Sequence, residues 1–296
     1  MRKNQLLILV LILFTFSGCA QAIKLDELTK FAATEIYPDD TYLDTVKNKR
    51  ALIIVAHDDD DCTMAGTIAK LCSKGWFIKQ YCLQNHIDPK TGQNPSNIIC
   101  QGSELIYKGK FYRRGMDTIK MPYFPISYAQ ISEQYFSNEL SLELKEKINE
   151  YNPSIIFTLD DSLGGYGYPD HIFISHLVRL IYNSGEIKAN RIYQSVYTKH
   201  MQDEIINKWL AQNLKKWKFP NTSAIACEMY NIDGMPKPNV QINVFESAEV
   251  KMKYLRAYDE SVRKNIRKFI PYYERFNAND YFKLFDREFF KVVQKN

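Results

Sequence analysis

Net charge, paired cysteines and long apolar runs are all scarce in this sequence, and each shortage excludes a class of protein. The formal net charge is only +5, from 39 lysines and arginines against 34 acidic residues, whereas a nucleic-acid-binding protein usually carries a concentrated basic stripe. The six cysteines include no CxxC pair, which excludes a zinc ribbon and a dense disulfide scaffold. Only one apolar run stands out, so a polytopic membrane protein is excluded. The 296 residues are 45% hydrophobic and 25% charged, as in an ordinary globular protein.

The apolar run lies near the start of the chain, where residues 6–14 follow Arg2 and Lys3. A basic start, a short apolar core and small residues predict an export signal rather than a spanning helix, which needs about 20 apolar residues. Residues 16–19, Phe-Ser-Gly-Cys, resemble a bacterial lipobox. We therefore expect a signal peptide over residues 1–19, lipid attachment at Cys19, and an exported lipoprotein of the bacterial cell envelope. An ordinary cleaved signal and an uncleaved anchor are the alternatives.

Strands and helices alternate along the rest of the chain. The apolar runs at 50–56, 76–83, 154–159 and 191–198 predict strands, and helical patterns occur at 24–36, 62–73, 139–151 and 171–184. This alternation predicts a Rossmann-like three-layer α/β fold with a mostly parallel sheet, followed from residue 248 by a helical C-terminal region. Residues 84–125 have no clear period and are expected to form a loop region that shapes a binding site. We divide the chain into 1–19 (signal), 20–49 (N-terminal helix and connector) and one domain over 50–296.

Five cysteines follow the predicted signal, an odd number. Mostly buried free thiols are the expectation, and one disulfide is the alternative in an oxidising compartment.

The most informative segment is His57-Asp58-Asp59-Asp60-Asp61, directly after the first predicted strand. Adjacent carboxylates repel one another and raise one another's pKa values, and a bound cation relieves this. Ligand sites in open α/β sheets lie at the carboxyl ends of the strands. The alternative is that one aspartate caps the next helix and the others are solvated.

A second segment, Tyr168-Pro169-Asp170-His171, also follows a predicted buried strand and begins a helix. Because the strands of a parallel sheet end at the same edge, His57, an aspartate and His171 are expected to converge on one metal. Two imidazoles, one carboxylate and an open position make up a hydrolytic zinc site.

The two segments together resemble the PIG-L/LmbE-like family of zinc-dependent deacetylases of N-acetylglucosaminyl compounds. The family motifs read His-Pro-Asp-Asp-Glu and His-Pro-Asp-His, the second after a glycine-rich turn that stands here as Gly-Gly-Tyr-Gly at 164–167. The resemblance implies that His57, Asp60 and His171 ligate zinc or another divalent metal. It also implies that Asp59 is the general base and that Asp170 is a supporting carboxylate that orients a histidine. The implied reaction removes an acetyl group from an N-acetylated amino sugar or its conjugate.

Two positions depart from the family pattern. Asp58 replaces the proline, which costs rigidity but removes no ligand. Tyr168 stands where the family has a histidine that stabilises the oxyanion, and a tyrosine hydroxyl can donate only a neutral hydrogen bond to that oxyanion. We expect Tyr168 to be the oxyanion donor of an active enzyme. The rival interpretation is a non-catalytic glycan-binding lipoprotein in which Tyr168 is a packing residue.

Weaker signals favour ordinary structural roles. We expect the remaining histidines to be structural or exposed, and two tryptophans with a neighbouring phenylalanine to belong to the core or rim rather than to stack on a sugar. A basic helical face is expected to be solvated or to rest on anionic lipid headgroups. These residues are His86, His176 and His200; Trp209, Trp217 and Phe219; and Arg263, Lys264, Arg267 and Lys268.

Overall fold

A computed structural model of the protein describes residues 23–87, 92–106, 112–114 and 124–295. The predicted signal and Cys19 lie outside these residues. The strands of the sheet are β1 (Arg50–His57), β2 (Phe77–Gln84), β3 (Ser103–Leu105), β4 (Ile155–Leu159), β5 (Arg191–Val196), β6 (Val240–Asn243) and β7 (Arg287–Gln294).

The α-helices lie between and after these strands. They are α1 (Ala65–Ser73), α2 (Tyr128–Gln134), α3 (Ser137–Tyr151), the short turn α4 (Gly164–Gly167), α5 (Pro169–Asn183), α6 (Lys199–Met201), α7 (Ala211–Lys216), α8 (Thr222–Tyr230), α9 (Ala248–Ala257), α10 (Glu260–Phe269) and α11 (Ala278–Leu284). A π-helical stretch, Gln202–Leu210, joins α6 to α7. Shorter 3₁₀ helices cover Leu25–Phe31, Asp58–Thr63, Pro95–Ile99, Phe245–Ser247 and Tyr273–Arg275.

The seven strands form one sheet in the order β3-β2-β1-β4-β5-β7-β6. The first five are parallel to one another, while β7 is antiparallel to β5 and β6 is antiparallel to β7. The predicted α/β fold with a mostly parallel sheet is therefore confirmed. Because β1 lies between β2 and β4, the loops after these three strands meet at one edge of the sheet.

Two hydrophobic cores lie on opposite faces of the sheet. Alternate residues of a strand point to opposite faces, so Ile53 packs into one core with Phe157 of β4, and Ile54 packs into the other with Ile156. All six residues from Ala51 to Ala56 are completely buried, as expected for a strand covered by helices on both sides.

The C-terminal region and the N-terminal helix differ from the predictions. The region from residue 248 is helical only as far as Leu284, because Arg287–Gln294 forms β7 in the sheet. Its charged and apolar residues come in short runs rather than in the strict alternation typical of a half-buried strand, so the sequence resembles an amphipathic helix. The helix predicted at 24–36 is a 3₁₀ helix that ends at Phe31. Residues 84–125 include a 3₁₀ helix and the short strand β3 among their described positions.

One disulfide is present, between Cys72 at the end of α1 and Cys100 after the third 3₁₀ helix. Cys62 and Cys82 are buried free thiols, and Cys227 is a half-buried one. Among the described residues, no helix has both the length and the apolar character needed to cross a bilayer.

Candidate metal and catalytic site

The four aspartates after β1 are divided between the cavity and the interior. Asp59 and Asp60 line a cavity at the edge of the sheet, whereas Asp58 and Asp61 are completely buried. The Asp61 carboxylate accepts hydrogen bonds from the hydroxyl of Tyr254 and the side-chain amide of Gln101. Separate partners therefore satisfy the two interior carboxylates, as buried charged groups require.

The loop after β4 is organised by Asp160, a buried residue whose role the sequence did not suggest. Its carboxylate accepts hydrogen bonds from the backbone N–H groups of Ser162 (3.1 Å), Leu163 (2.6 Å) and Gly165 (2.8 Å). The turn that results carries Gly164 at a φ of +55°, where a Cβ atom would lie only 2.8 Å from the Cβ of His171. A glycine is thus needed for the turn to pass close to His171.

His57, Asp60 and His171 bring three donor atoms together. Nδ1 of His57 lies 3.1 Å from Nε2 of His171, and Oδ1 of Asp60 lies 3.1 Å from that Nε2 and 3.5 Å from that Nδ1. Zinc bonds of about 2.0–2.1 Å in a tetrahedral arrangement place donor atoms about 3.3–3.4 Å apart. The three residues therefore fit a tetrahedral zinc ion that keeps one open position.

Hydrogen bonds to the outer atoms of these side chains orient them for a metal. Nδ1 of His171 donates to the carbonyl oxygen of Gly164 at 3.0 Å, which places the proton on Nδ1 and leaves a lone pair on Nε2. Oδ2 of Asp60 accepts from the backbone N–H of His57 at 2.8 Å, so Oδ1 remains available. The Gly164 carbonyl, rather than Asp170, thus orients the His171 ring.

Charges within the site shift the pKa values of its members strongly. Burial raises the pKa of Asp60, but His171 and His57 outweigh this effect and hold it below its usual range. Burial lowers the pKa of His57, and the Asp60 and Asp59 carboxylates reverse that shift and raise it. Burial and the Asp60 carboxylate raise the pKa of Asp59. A carboxylate with a raised pKa is better matched to the work of a general base near neutral pH.

Tyr168 lies against the candidate metal ligands His57 and His171. Its ring stacks on the His57 ring, with centroids 5.4 Å apart, and meets the His171 ring edge-on at 4.9 Å. Tyr168 also lines the cavity. The side chain that replaces the family histidine is therefore next to both imidazoles.

Asp170 contributes to a different part of the site. Its buried carboxylate accepts a hydrogen bond from the hydroxyl of Tyr112 at 2.5 Å and another from the hydroxyl of Tyr135. Nη1 of Arg113 lies 3.6 Å from the same carboxylate. Asp170 thus connects the start of α5 to residues on both sides of α2, which the sequence did not predict.

The cavity has a volume of about 520 Å³. The candidate metal ligands form one side, and apolar and aromatic side chains from residues after 195 form the other. This second wall is formed by Val196, Tyr197, Leu210, Leu214, Trp217, Phe219, Met235, Ile266 and Phe269. Trp217 remains 55% exposed and carries the ammonium of Lys268 5.7 Å from its ring centroid.

The aromatic residues noted in the sequence have different surroundings. Trp217 and Phe219 line the cavity, whereas Trp209 packs against Phe31 and Tyr272. The proposed basic face is divided as well. Arg263 and Arg267 form ion pairs with Glu260 and Glu274. Lys264 is exposed, whereas Lys268 lines the cavity.

The other three histidines do not belong to the candidate metal site of His57, Asp60 and His171. His176 is exposed on α5, and Nε2 of His200 is hydrogen-bonded to the carbonyl oxygen of Lys30 at 2.9 Å. His86, in contrast, lines the cavity. Its position at the carboxyl end of β2, the strand next to β1, is the signal that could have identified it.

These donor groups form a candidate metal site at the edge of a mostly parallel α/β sheet. Residues 52–182 match the family model described as PIG-L: GlcNAc-PI de-N-acetylase. This matched segment runs from β1 to α5 and contains both motifs, so the predicted resemblance to the PIG-L family is confirmed over these residues. A comparison with curated proteins gives no match.

Several solved structures are similar to the protein. N,N'-diacetylchitobiose deacetylase from Pyrococcus horikoshii has 15% identity and a TM-score of 0.48, with 91% of this chain and 90% of that chain covered. The hydratase GalB from Pseudomonas putida KT2440 has 12% identity and a TM-score of 0.44, with 83% and 97% covered. The deacetylase of the A40926 pseudoaglycone has 13% identity and a TM-score of 0.42, with 84% and 99% covered. Because every TM-score is below 0.5, neither reaction nor substrate is inferred from these similarities.

Proposed function

We propose that the protein is a zinc-dependent hydrolase that removes an acetyl group from an N-acetylated amino sugar, of the N-acetylglucosamine type, or from its conjugate. One observation carries the proposal. Three donor atoms from His57, Asp60 and His171 lie 3.1–3.5 Å apart beside an available carboxylate, Asp59, on one cavity. The amino-sugar substrate follows the de-N-acetylase family matched by residues 52–182.

In the proposed reaction each residue has a separate task. His57, Asp60 and His171 would hold a zinc ion, which would supply a lowered water pKa and polarisation of the amide carbonyl. Asp59 takes a proton from the attacking water. The Tyr168 hydroxyl donates a hydrogen bond to the oxygen that becomes negative as the carbonyl carbon turns tetrahedral. The C–N bond then breaks, its electron pair stays on nitrogen, and the protonated amine leaves with acetate as the second product.

The second wall of the cavity supports a substrate that has an apolar or ring-shaped part. An exposed tryptophan face suits stacking on the apolar side of a sugar ring, and Trp217 offers such a face at the cavity wall. Lys268, above that ring, places a positive charge beside the same surface. An amino-sugar conjugate with an anionic group therefore suits this wall better than a cationic one does.

The protein is further proposed to act outside the cytoplasm, attached to a membrane through a lipid on Cys19. The lipobox-like residues 16–19 support this. Incorporation of a labelled fatty acid in a bacterial host, and its loss in Cys19→Ala, is the expected result. A labelled Cys19→Ala protein would contradict the anchor.

The test of function starts with the metal. We expect the chain without residues 1–19 to contain about one zinc ion, the number held by one such site. His171→Ala should lose the ion, and the exposed control His176→Ala should keep it. Amine release from N-acetylglucosaminides by the zinc-loaded protein, absent in Asp59→Asn, would then support the deacetylase. Zinc binding without any amine release, combined with binding of the intact sugar, would support the glycan-binding alternative.

A further inference from the structure

Asp58, the residue that stands in place of the family proline, is paired with His86. The carboxylate is completely buried. Its Oδ2 accepts the backbone N–H of His86 at 2.9 Å, and its Oδ1 lies 2.5 Å from Nδ1 of the His86 ring. A buried carboxylate is costly unless it is paired and hydrogen-bonded. The pair thus satisfies Asp58 and fixes both the loop after β2 and the angle of the imidazole.

These contacts describe a hydrogen-bonded pair rather than a second metal site. Asp58, Asp59 and His86 offer three possible ligand atoms. Two donor atoms on a tetrahedral zinc ion are about 3.3–3.4 Å apart, whereas Asp58 and His86 approach within direct hydrogen-bonding distance. Because a carboxylate can only accept, Nδ1 of His86 donates. Nε2 is then the free polar atom of the ring.

The sheet order places the loops that carry His86 and Tyr168 on opposite sides of the loop after β1, which carries Asp59 and Asp60. His86 follows β2 and Tyr168 follows β4, and these two strands are the neighbours of β1, which carries His57. Both residues line the cavity. Nδ1 of His86 is 3.9 Å from Oδ1 of Asp59. An amide placed between these residues has one end near Tyr168 and the other near His86 and Asp59.

We propose that His86, oriented by Asp58, is the proton donor to the leaving nitrogen, so that this chain supplies from β2 the imidazole that the family pattern places at position 168. The inference rests on the proposed function. Attack adds the water oxygen to the amide carbon and moves one water proton to Asp59. In the imidazolium form of His86 both ring nitrogens carry a proton, Nδ1 donating to Asp58 and Nε2 facing the substrate. When the C–N bond breaks, its electron pair goes to nitrogen, which receives the Nε2 proton and leaves His86 neutral. Asp59 returns its proton to the imidazole, so that one water is consumed and acetate and the amine are formed.

Tests of this role compare two substrates in His86→Gln. An N-acetylglucosaminide has a basic leaving amine that must be protonated, whereas the leaving group of p-nitrophenyl acetate departs without a proton. We expect the variant to keep its zinc, to lose about 10²–10⁴-fold in kcat on the amide, the usual contribution of a general acid, and to lose far less on the ester. The exposed control His176→Gln should retain both activities.

Asp58 is a positioning residue in this scheme, and its variants supply the second test. Asp58→Asn should lower kcat on the amide more than on the ester, the same pattern as in His86→Gln. His86→Gln leaves the buried Asp58 carboxylate without its partner, which destabilises the fold. The double variant with Asp58→Asn removes that unpaired carboxylate and so separates the loss of the proton donor from misfolding. Adding Tyr168→His to His86→Gln restores an imidazole to the cavity and should recover part of the amide activity.

Each other outcome has a definite meaning. Equal losses on amide and ester in His86→Gln with zinc retained would show that His86 has a merely structural role and would overturn the inference. Unchanged amide hydrolysis in that variant would overturn it as well. If the zinc-loaded wild-type protein cleaves neither substrate, the proposed function itself fails, and that result is distinguishable from either of the others.

Discussion

Replacement of Gly164 by alanine tests how strongly the turn after β4 determines the position of His171, the proposed metal ligand. The new Cβ would lie 2.8 Å from the Cβ of His171 and 2.8 Å from the backbone nitrogen of Ile172. Carbon atoms in good contact are about 3.5–4.0 Å apart, so the His171 side chain must move by about 0.7 Å, whereas metal–ligand distances tolerate only about 0.2 Å. The carbonyl that orients the ring through Nδ1 also belongs to Gly164.

We expect Gly164→Ala to bind zinc about 10–100-fold more weakly, the usual effect of losing a group that orients a ligand, which corresponds to about 1.4–2.8 kcal/mol. The matched control is Gly165→Ala. Its φ of +80° is also positive, so alanine strains the backbone there too, but no atom lies within 4 Å of the added Cβ. Zinc titration against a chromophoric chelator measures both affinities. Equal zinc affinity in the two variants would refute the reasoning.

Three further predictions concern the oxyanion donor, a buried ion pair and the disulfide. Tyr168→Phe should lower kcat on the amide with little change in zinc content, and an unchanged kcat would remove Tyr168 from the mechanism. Glu288 accepts a 2.6 Å hydrogen bond from Lys251 in the interior, so Glu288→Gln should reduce the free energy of unfolding in urea by about 3–5 kcal/mol; a smaller loss when Lys251→Met is added would identify the unpaired charge as the cause. Replacing Cys72 and Cys100 by serine opens a link between residues 28 positions apart and should cost about 3–4 kcal/mol, with no further effect of reductant.

The buried parallel strands were predictable because they are continuous apolar runs. Arg50–His57 and Ile155–Leu159 are covered on both faces, so nearly every position is apolar and the pattern is clear from the sequence alone. Arg287–Gln294 carries charged residues among apolar ones and joins the sheet only through antiparallel partners. Its strand conformation depends on β5, which is about 100 residues away in the chain, and no local pattern reveals that pairing.

The same limit applies to the site. His57, Asp60 and His171 could be proposed because each lies next to a strand end in a recognisable motif. The pairing of Asp58 with His86 spans 28 positions and follows from the adjacency of β1 and β2. Glu288 lies more than 200 positions from Gly66 and Thr67, yet accepts hydrogen bonds from both of their backbone N–H groups at the start of α1. Contacts of this kind depend on topology, so they appear only once the sheet order is known.

The two walls of the cavity come from separate stretches of the chain. The candidate metal ligands lie within residues 52–182, the family-matched segment, and the apolar wall with Trp217 and Phe269 lies entirely after it. Mutation can therefore remodel the second wall while the donor groups and Asp59 stay unchanged. Related chains can therefore differ in the substrate group that the second wall contacts while they keep the same donor groups and the same reaction.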